Sequence, residues 1–118
     1  MTKDFKQYTV VSIPFPFTDK SETKHRPALI LSSAVEFNKK IGHSVMAMIT
    51  SAKNSPWPLD VEISDLKCTG LPAPSIIRMK LFTMDHRLIT KHMGVLSKID
   101  QIKVNQSLSK LIPLRSIT

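Results

Sequence analysis

Up to residue 97 the chain is a series of short apolar, β-branched runs, each closed by prolines or by a polar stretch. That pattern restricts it to a small sheet with tight connections. Tyr8–Pro14 reads YTVVSIP, a first strand stopped by the prolines of PFPF, which cannot continue a ladder at an interior position. TDKSETKHR, from Thr18 to Arg26, is charged and without apolar periodicity, and reads as a solvated loop. Pro27 opens PALILSS, a strand without polar alternation, so buried on both faces. AVEFNKKIG then spaces Val35, Phe37 and Ile41 loosely as a helical excursion ending at Gly42. In SVMAMITS, Ser44 to Ser51, strand alternation puts Val45, Ala47 and Ile49 on one face and Met46, Met48 and Thr50 on the other.

AKNSPWP is a turn by composition, DVEIS alternates like an exposed strand, and KCTGLPAP is a Gly/Pro loop. Two extended stretches follow, SIIRMKLFTMD and HRLITKHMGVL. From Ser97 the period becomes helical: Ile99, Ile102, Leu108, Leu111 and Ile112 fall mostly on one face, and Ser97 and Asp100 have capping-box spacing. The expected architecture is mainly β with one helix (α+β): a strongly bent antiparallel sheet or barrel carrying an amphipathic C-terminal helix at one end. With 118 residues, 42% of them apolar and spread along the chain, residues 1–118 read as one domain with one core.

The charge balance narrows the function. Lys and Arg number 17 against 9 Asp and Glu, a net +8 that favours a polyanionic or acidic partner. The charged N-terminus and the short, proline-rich apolar runs argue against a signal peptide or a membrane span. One cysteine, Cys68, fits a reducing, cytoplasmic setting. His25, His43, His86 and His92 stand at none of the zinc-ligand spacings, and three glycines cannot build a phosphate loop or a dinucleotide fingerprint. No metal and no cofactor are expected.

What remains is a cationic set at strand ends: Lys24, His25 and Arg26 before one strand, Thr50 and Ser51 closing the next, Arg78 and Lys80 inside SIIRMKLF. Arg78 has two open readings: its tip reaches a ligand, or it is salt-bridged to Asp60, Glu62 or Asp65. Arg26 could equally be a loop-end surface charge, and Thr50 and Ser51 ordinary turn hydroxyls.

The order PFPFTD, KHRPALILSS, MAMITS, TGLPAPSIIRMKLFTMD and a final helix resembles the PemK/MazF toxins of bacterial toxin–antitoxin pairs, over nearly the whole chain. The resemblance implies an SH3-like barrel, a homodimer, and metal-independent cleavage of single-stranded RNA restrained by an antitoxin. It places the catalytic arginine at Arg26, the catalytic threonine at Thr50, a neighbouring hydroxyl at Ser51 and a second substrate-facing arginine at Arg78. Where several members have a carboxylate base, this chain has Lys80, so that mechanism does not transfer. Members also carry Gly-Asp before the first strand, where Tyr8 and Thr9 stand here, so the shape of that first loop does not transfer either.

Around these residues Lys20, Lys24, Lys53, Lys80, Arg87, Lys91 and His92 are candidates to track phosphates. Phe17 and Trp57 are candidates to stack on unpaired bases, though Trp57, set between two prolines, reads equally as a rim residue. His25 competes with Arg26 as a base; in an extended chain the two point to opposite sides, so at most one should enter a given cleft. A disordered acidic antitoxin laid across the Thr18–Arg26 loop is the expected inhibitor. Two rival functions stay open: a toxin of the same fold that poisons DNA gyrase by protein contact, and a non-catalytic binding module.

Overall fold

A computed structural model describes residues 5–15 and 24–115; Phe17 and Lys20 lie outside them. Six strands form one antiparallel sheet that curls into a half-barrel: β1 (Thr9–Phe15), β2 (Lys24–Ile30), β3 (His43–Ser51), β4 (Val61–Glu62), β5 (Ser75–Asp85) and β6 (Lys91–Val95), in the order β4-β5-β3-β2-β1-β6. A π-helical turn (Ala34–Asn38) and α1 (Lys39–Ile41) link β2 to β3, and α2 (Lys98–Leu111) ends the chain. Among the described residues no helix is long and apolar enough to cross a membrane.

Both faces of the sheet are apolar, and strand alternation explains how. One face carries Val10, Leu29, Ala47, Ile49 and Ile77, and packs under α2 through Val104. The other carries Val11, Ile13, Ala28, Ile30, Met46 and Met84, and is covered by Phe5, Phe82 and Ile89. The expected single core is therefore two, separated by the sheet.

Two register breaks bend the sheet. Between β3 and β5, Ala47 pairs with Leu81 and Met48 with Arg78, so Met79 and Lys80 are extra on β5. Between β1 and β6, Val10 pairs with Gly94 and Val11 with His92. Gly94 is required there: a Cβ would lie 2.2 Å from the Cys68 carbonyl oxygen.

Several sequence expectations are corrected. β2 begins at Lys24 rather than Pro27, because Lys24, His25 and Arg26 pair with Phe15, Pro14 and Ile13. His86–Leu88 is a 3-10 turn rather than extended chain, capped by the Asp85 carboxylate accepting from the Arg87 amide. On α2 the buried positions are Asp100 and Val104, with Leu108 packed beside them, while Ile99 and Ile102 are 68% and 56% exposed. The reason is Asp100. Its carboxylate is fully buried and accepts from the Ser64 and Asp65 amides, the Ser64 and Ser97 hydroxyls and the Lys103 ammonium, which rolls its own face of the helix inward. Burial pushes this carboxyl up, but the hydrogen bonds from Ser64, Asp65 and Lys103 outweigh it and hold it well below the ordinary carboxylate range. Tyr8 takes a left-handed φ of 71°, the conformation a glycine adopts without strain. It is held by burial and by a hydrogen bond from its hydroxyl to Asn105.

Candidate active site

The ladder between β2 and β3 covers only Ala28–Ile30 against Met46–Met48. Pro27 has no N–H to offer and the pairing ends there, so Lys24–Pro27 and Ile49–Ser51 diverge. The gap is where the candidate residues gather.

A cleft of about 430 Å³ opens there, lined by Phe15, Arg26, Met48, Ile49, Thr50, Arg78, Lys80, Leu81 and Phe82. Arg26 alternates with Ala28 and Ile30 on β2, Thr50 with Met48 and Met46 on β3, and Arg78 and Lys80 with Phe82 and Met84 on β5. The cleft thus continues one apolar sheet face outward, exchanging aliphatic side chains for cations and a hydroxyl. A second cleft of about 310 Å³ adjoins it and shares Arg26, Ile49 and Thr50, adding His25, Ser51, Ser75 and the 71–74 loop. Arg26 and Thr50 therefore stand on the ridge between the two. His25 and Arg26 both line the second cleft, contrary to strict alternation, because the unpaired edge of β2 leaves both sides of the strand reachable.

The side chains differ in how they are held. The Arg26 guanidinium lies 5.9 Å from the centre of the Phe15 ring. Arg78 is committed: its Nε and Nη2 donate to Asp60 Oδ1 and Oδ2 at 3.2 and 3.1 Å, and Nη2 also donates to the Ser55 carbonyl at 2.6 Å. Both members of that pair are 14% exposed, so the salt-bridged reading of Arg78 describes its geometry, with Asp60 as the partner. Among the described residues neither Arg26 nor Lys80 is paired with a carboxylate, which leaves these two as the cations the cleft offers to an anion.

Trp57 does not line either cleft. Its ring meets the cations, 5.6 Å from the Arg78 guanidinium and 5.3 Å from the Lys80 ammonium, and its amide donates to Asp60. Ser51 accepts from the Lys53 amide and lines only the second cleft. His25 sits 3.4 Å from the Thr90 hydroxyl. Lys24, Lys53, Lys91 and His92 are exposed outside both linings, and Arg87 is held by Asp85 at 2.7 Å. Among the described residues no three His, Cys, Asp or Glu side chains cluster to hold a metal ion. Sequence reasoning missed the aromatic walls Phe15 and Phe82. Alternation along IPF and RMKLF would have placed both beside Arg26 and Lys80.

Fold and cleft together define a class: a curled antiparallel half-barrel with a C-terminal helix and a cationic, aromatic-walled cleft where two central strands part. Residues 6–112 match the family described as PemK-like, MazF-like toxin of type II toxin-antitoxin system. The chain belongs to that family. No curated protein sequence matches it. Solved structures share the fold at low identity. MazF from Deinococcus radiodurans superposes with a TM-score of 0.75 at 18% identity, over 96% of this chain and 100% of that one. A mycobacterial endoribonuclease in complex with its cognate antitoxin gives 0.73 at 15% identity, over 95% and 98%. A MazE–MazF complex from Deinococcus radiodurans gives 0.75 at 19%, over 96% and 100%.

Proposed function

We propose that this toxin is a metal-independent endoribonuclease that cuts single-stranded RNA through the substrate's own 2′-hydroxyl. The observation that carries the reading is the single cleft uniting Arg26, Thr50 and Lys80 from three different strands. In such a cleavage the 2′-oxygen attacks phosphorus and the bond to the 5′-oxygen breaks. The products are a 2′,3′-cyclic phosphate and a 5′-hydroxyl. The 2′ proton leaves to a base and the departing oxygen takes one up, while negative charge concentrates on the two non-bridging oxygens.

Donors fixed in place before that charge appears are what the reaction needs. Arg26 presents a planar fork to two phosphoryl oxygens, and Thr50 adds a hydroxyl from the same ridge. A guanidinium stays charged at any pH the protein meets, so Arg26 acts as an electrostatic donor rather than as the base. His25, which lines the adjoining cleft, carries an imidazole of the right chemistry to exchange a proton. Lys80 holds the backbone next to the scissile phosphate, and Phe15 and Phe82 supply apolar wall for an unpaired base. The protein works as a homodimer in the cytoplasm, inhibited by an acidic, partly disordered antitoxin drawn to the same cationic cleft.

The test is a chimeric RNA with a single 2′-deoxy nucleotide 5′ to the cut, assayed in EDTA. Cleavage of the all-ribose strand should persist in EDTA, and the deoxy substitution should abolish it while leaving binding nearly intact. Cutting of the deoxy strand would rule out attack by the 2′-hydroxyl.

A further inference from the structure

The turn that follows β3 is tightly tied. The Asn54 amide donates to the Ser51 carbonyl at 3.1 Å, the Lys53 amide to the Ser51 hydroxyl at 3.2 Å, and the Ala52 amide to the Pro74 carbonyl at 3.1 Å. This folds the Asn54 side chain back over the strand end, where its Nδ2 donates to Thr50 Oγ1 at 2.5 Å. Resting on the reading of Thr50 as a transition-state donor, we propose that Asn54 is the positioning residue that sets the direction of the Thr50 hydroxyl.

A threonine hydroxyl has one proton to give and two lone pairs to receive. Left alone it rotates about its C–O bond and offers the proton in several directions. With an amide N–H of Asn54 seated on one lone pair, the proton cannot point at Asn54, and the range of directions it can take is narrowed. Thr50 lines both clefts, so a hydroxyl proton kept off Asn54 stays free for a phosphate bound there. Accepting a hydrogen bond also polarises the hydroxyl and makes it a stronger donor. Asn54 is exposed and holds Thr50 through a side-chain bond, so the link is separable from the folding of the sheet.

The experiment is a double-mutant cycle between positions 50 and 54 in the full chain, read in cleavage kinetics and in affinity for the uncleavable 2′-deoxy strand. Asn54→Ala should lower kcat about tenfold, the loss of one hydrogen bond, with KM nearly unchanged. Asn54→Asp replaces the donor by an acceptor that captures the proton. Its loss should approach the hundredfold or so expected when a transition-state donor is removed outright. In the Thr50→Ala background Asn54→Ala should cost almost nothing, and Asn54→Asp only what its charge does to phosphate binding. Equal losses with and without the Thr50 hydroxyl would overturn the proposal, as would an Asn54→Asp enzyme as fast as wild type. A loss confined to KM or to the melting temperature would overturn it too. If the wild-type protein cuts no RNA, the nuclease reading fails and the proposal falls with it; if the wild-type protein cuts RNA while the two positions act additively on kcat, the proposal alone is overturned.

Discussion

The two faces of the sheet are built from alternate residues of the same strands and end up with opposite chemistry. Under α2, the face is closed by Val104 and Leu108 and locked at its rim by a fully buried Asp100. On the other side an equally apolar floor opens outward into Arg26, Thr50 and Lys80. The difference is where polar groups spend their hydrogen bonds. Asp100 spends all of its capacity inside the protein, on Ser64, Asp65, Ser97 and Lys103, and returns stability. Arg26 and Lys80, paired with no carboxylate among the described residues, keep their capacity for a ligand. Arg78 stands between these cases. It faces the cleft, yet its charge is met by Asp60, so it shapes the wall and holds the Trp57 loop more than it waits for substrate.

The sharpest way to break this contrast is at Asp100. Asp100→Ala should destabilise the fold by about 3 kcal/mol, because two backbone amides and the Ser64 hydroxyl lose their buried acceptor together. For a chain this size that is a large share of total stability, visible as a melting temperature lower by roughly 10 °C. The same residue gives the pH dependence. Its carboxyl is held below its unfolded value, so the stabilisation is fully present above the ordinary carboxylate pKa and drains away as the pH falls below it. Asp100→Asn should flatten that acid limb in a melting series from neutral pH downward; an unchanged limb would place the acid sensitivity elsewhere.

On the open face the expected effects reverse. Arg26→Ala should cut the cleavage rate on the order of a hundredfold while moving the melting temperature little, since an exposed strand-edge side chain contributes little packing. Unfolding of Arg26→Ala, or an intact rate, would make Arg26 a structural surface charge instead.

How much of this was legible in the sequence differs by face. Alternation in MAMIT put Met46, Met48 and Thr50 on one side, which follows from strand period; that Arg26, Thr50 and Arg78 share one neighbourhood was implied by the resemblance to the PemK/MazF toxins. The site's sharper features do not. The parting of β2 from β3 depends on which strand Pro27 would have had to bond, and the commitment of Arg78 depends on a loop folding back to present Asp60 eighteen residues away. Asn54 reads in sequence only as a turn former; its bond to Thr50 exists because the turn reverses the chain. On α2 the periodicity itself misled. Ile99 and Ile102 outweigh Asp100 on any hydropathy reckoning, and only the amides of Ser64 and Asp65 reveal why the carboxylate side faces in.

That inversion supplies the smallest expected effect and a test of what covers the helix. Ile99→Gln combined with Ile102→Gln replaces two side chains that are 68% and 56% exposed, so the stability of the isolated chain should change by no more than about 0.5 kcal/mol per site. Val104→Ala, one turn along and fully buried, should cost more than about 1 kcal/mol. Melting curves at several protein concentrations separate the possibilities. If the double glutamine variant melts like wild type throughout, the exposed isoleucines are ordinary surface and any dimer forms elsewhere. If it loses several degrees, and the loss grows with concentration because wild type gains stability by self-association while the variant does not, then the outer face of α2 is buried against a second copy of the chain.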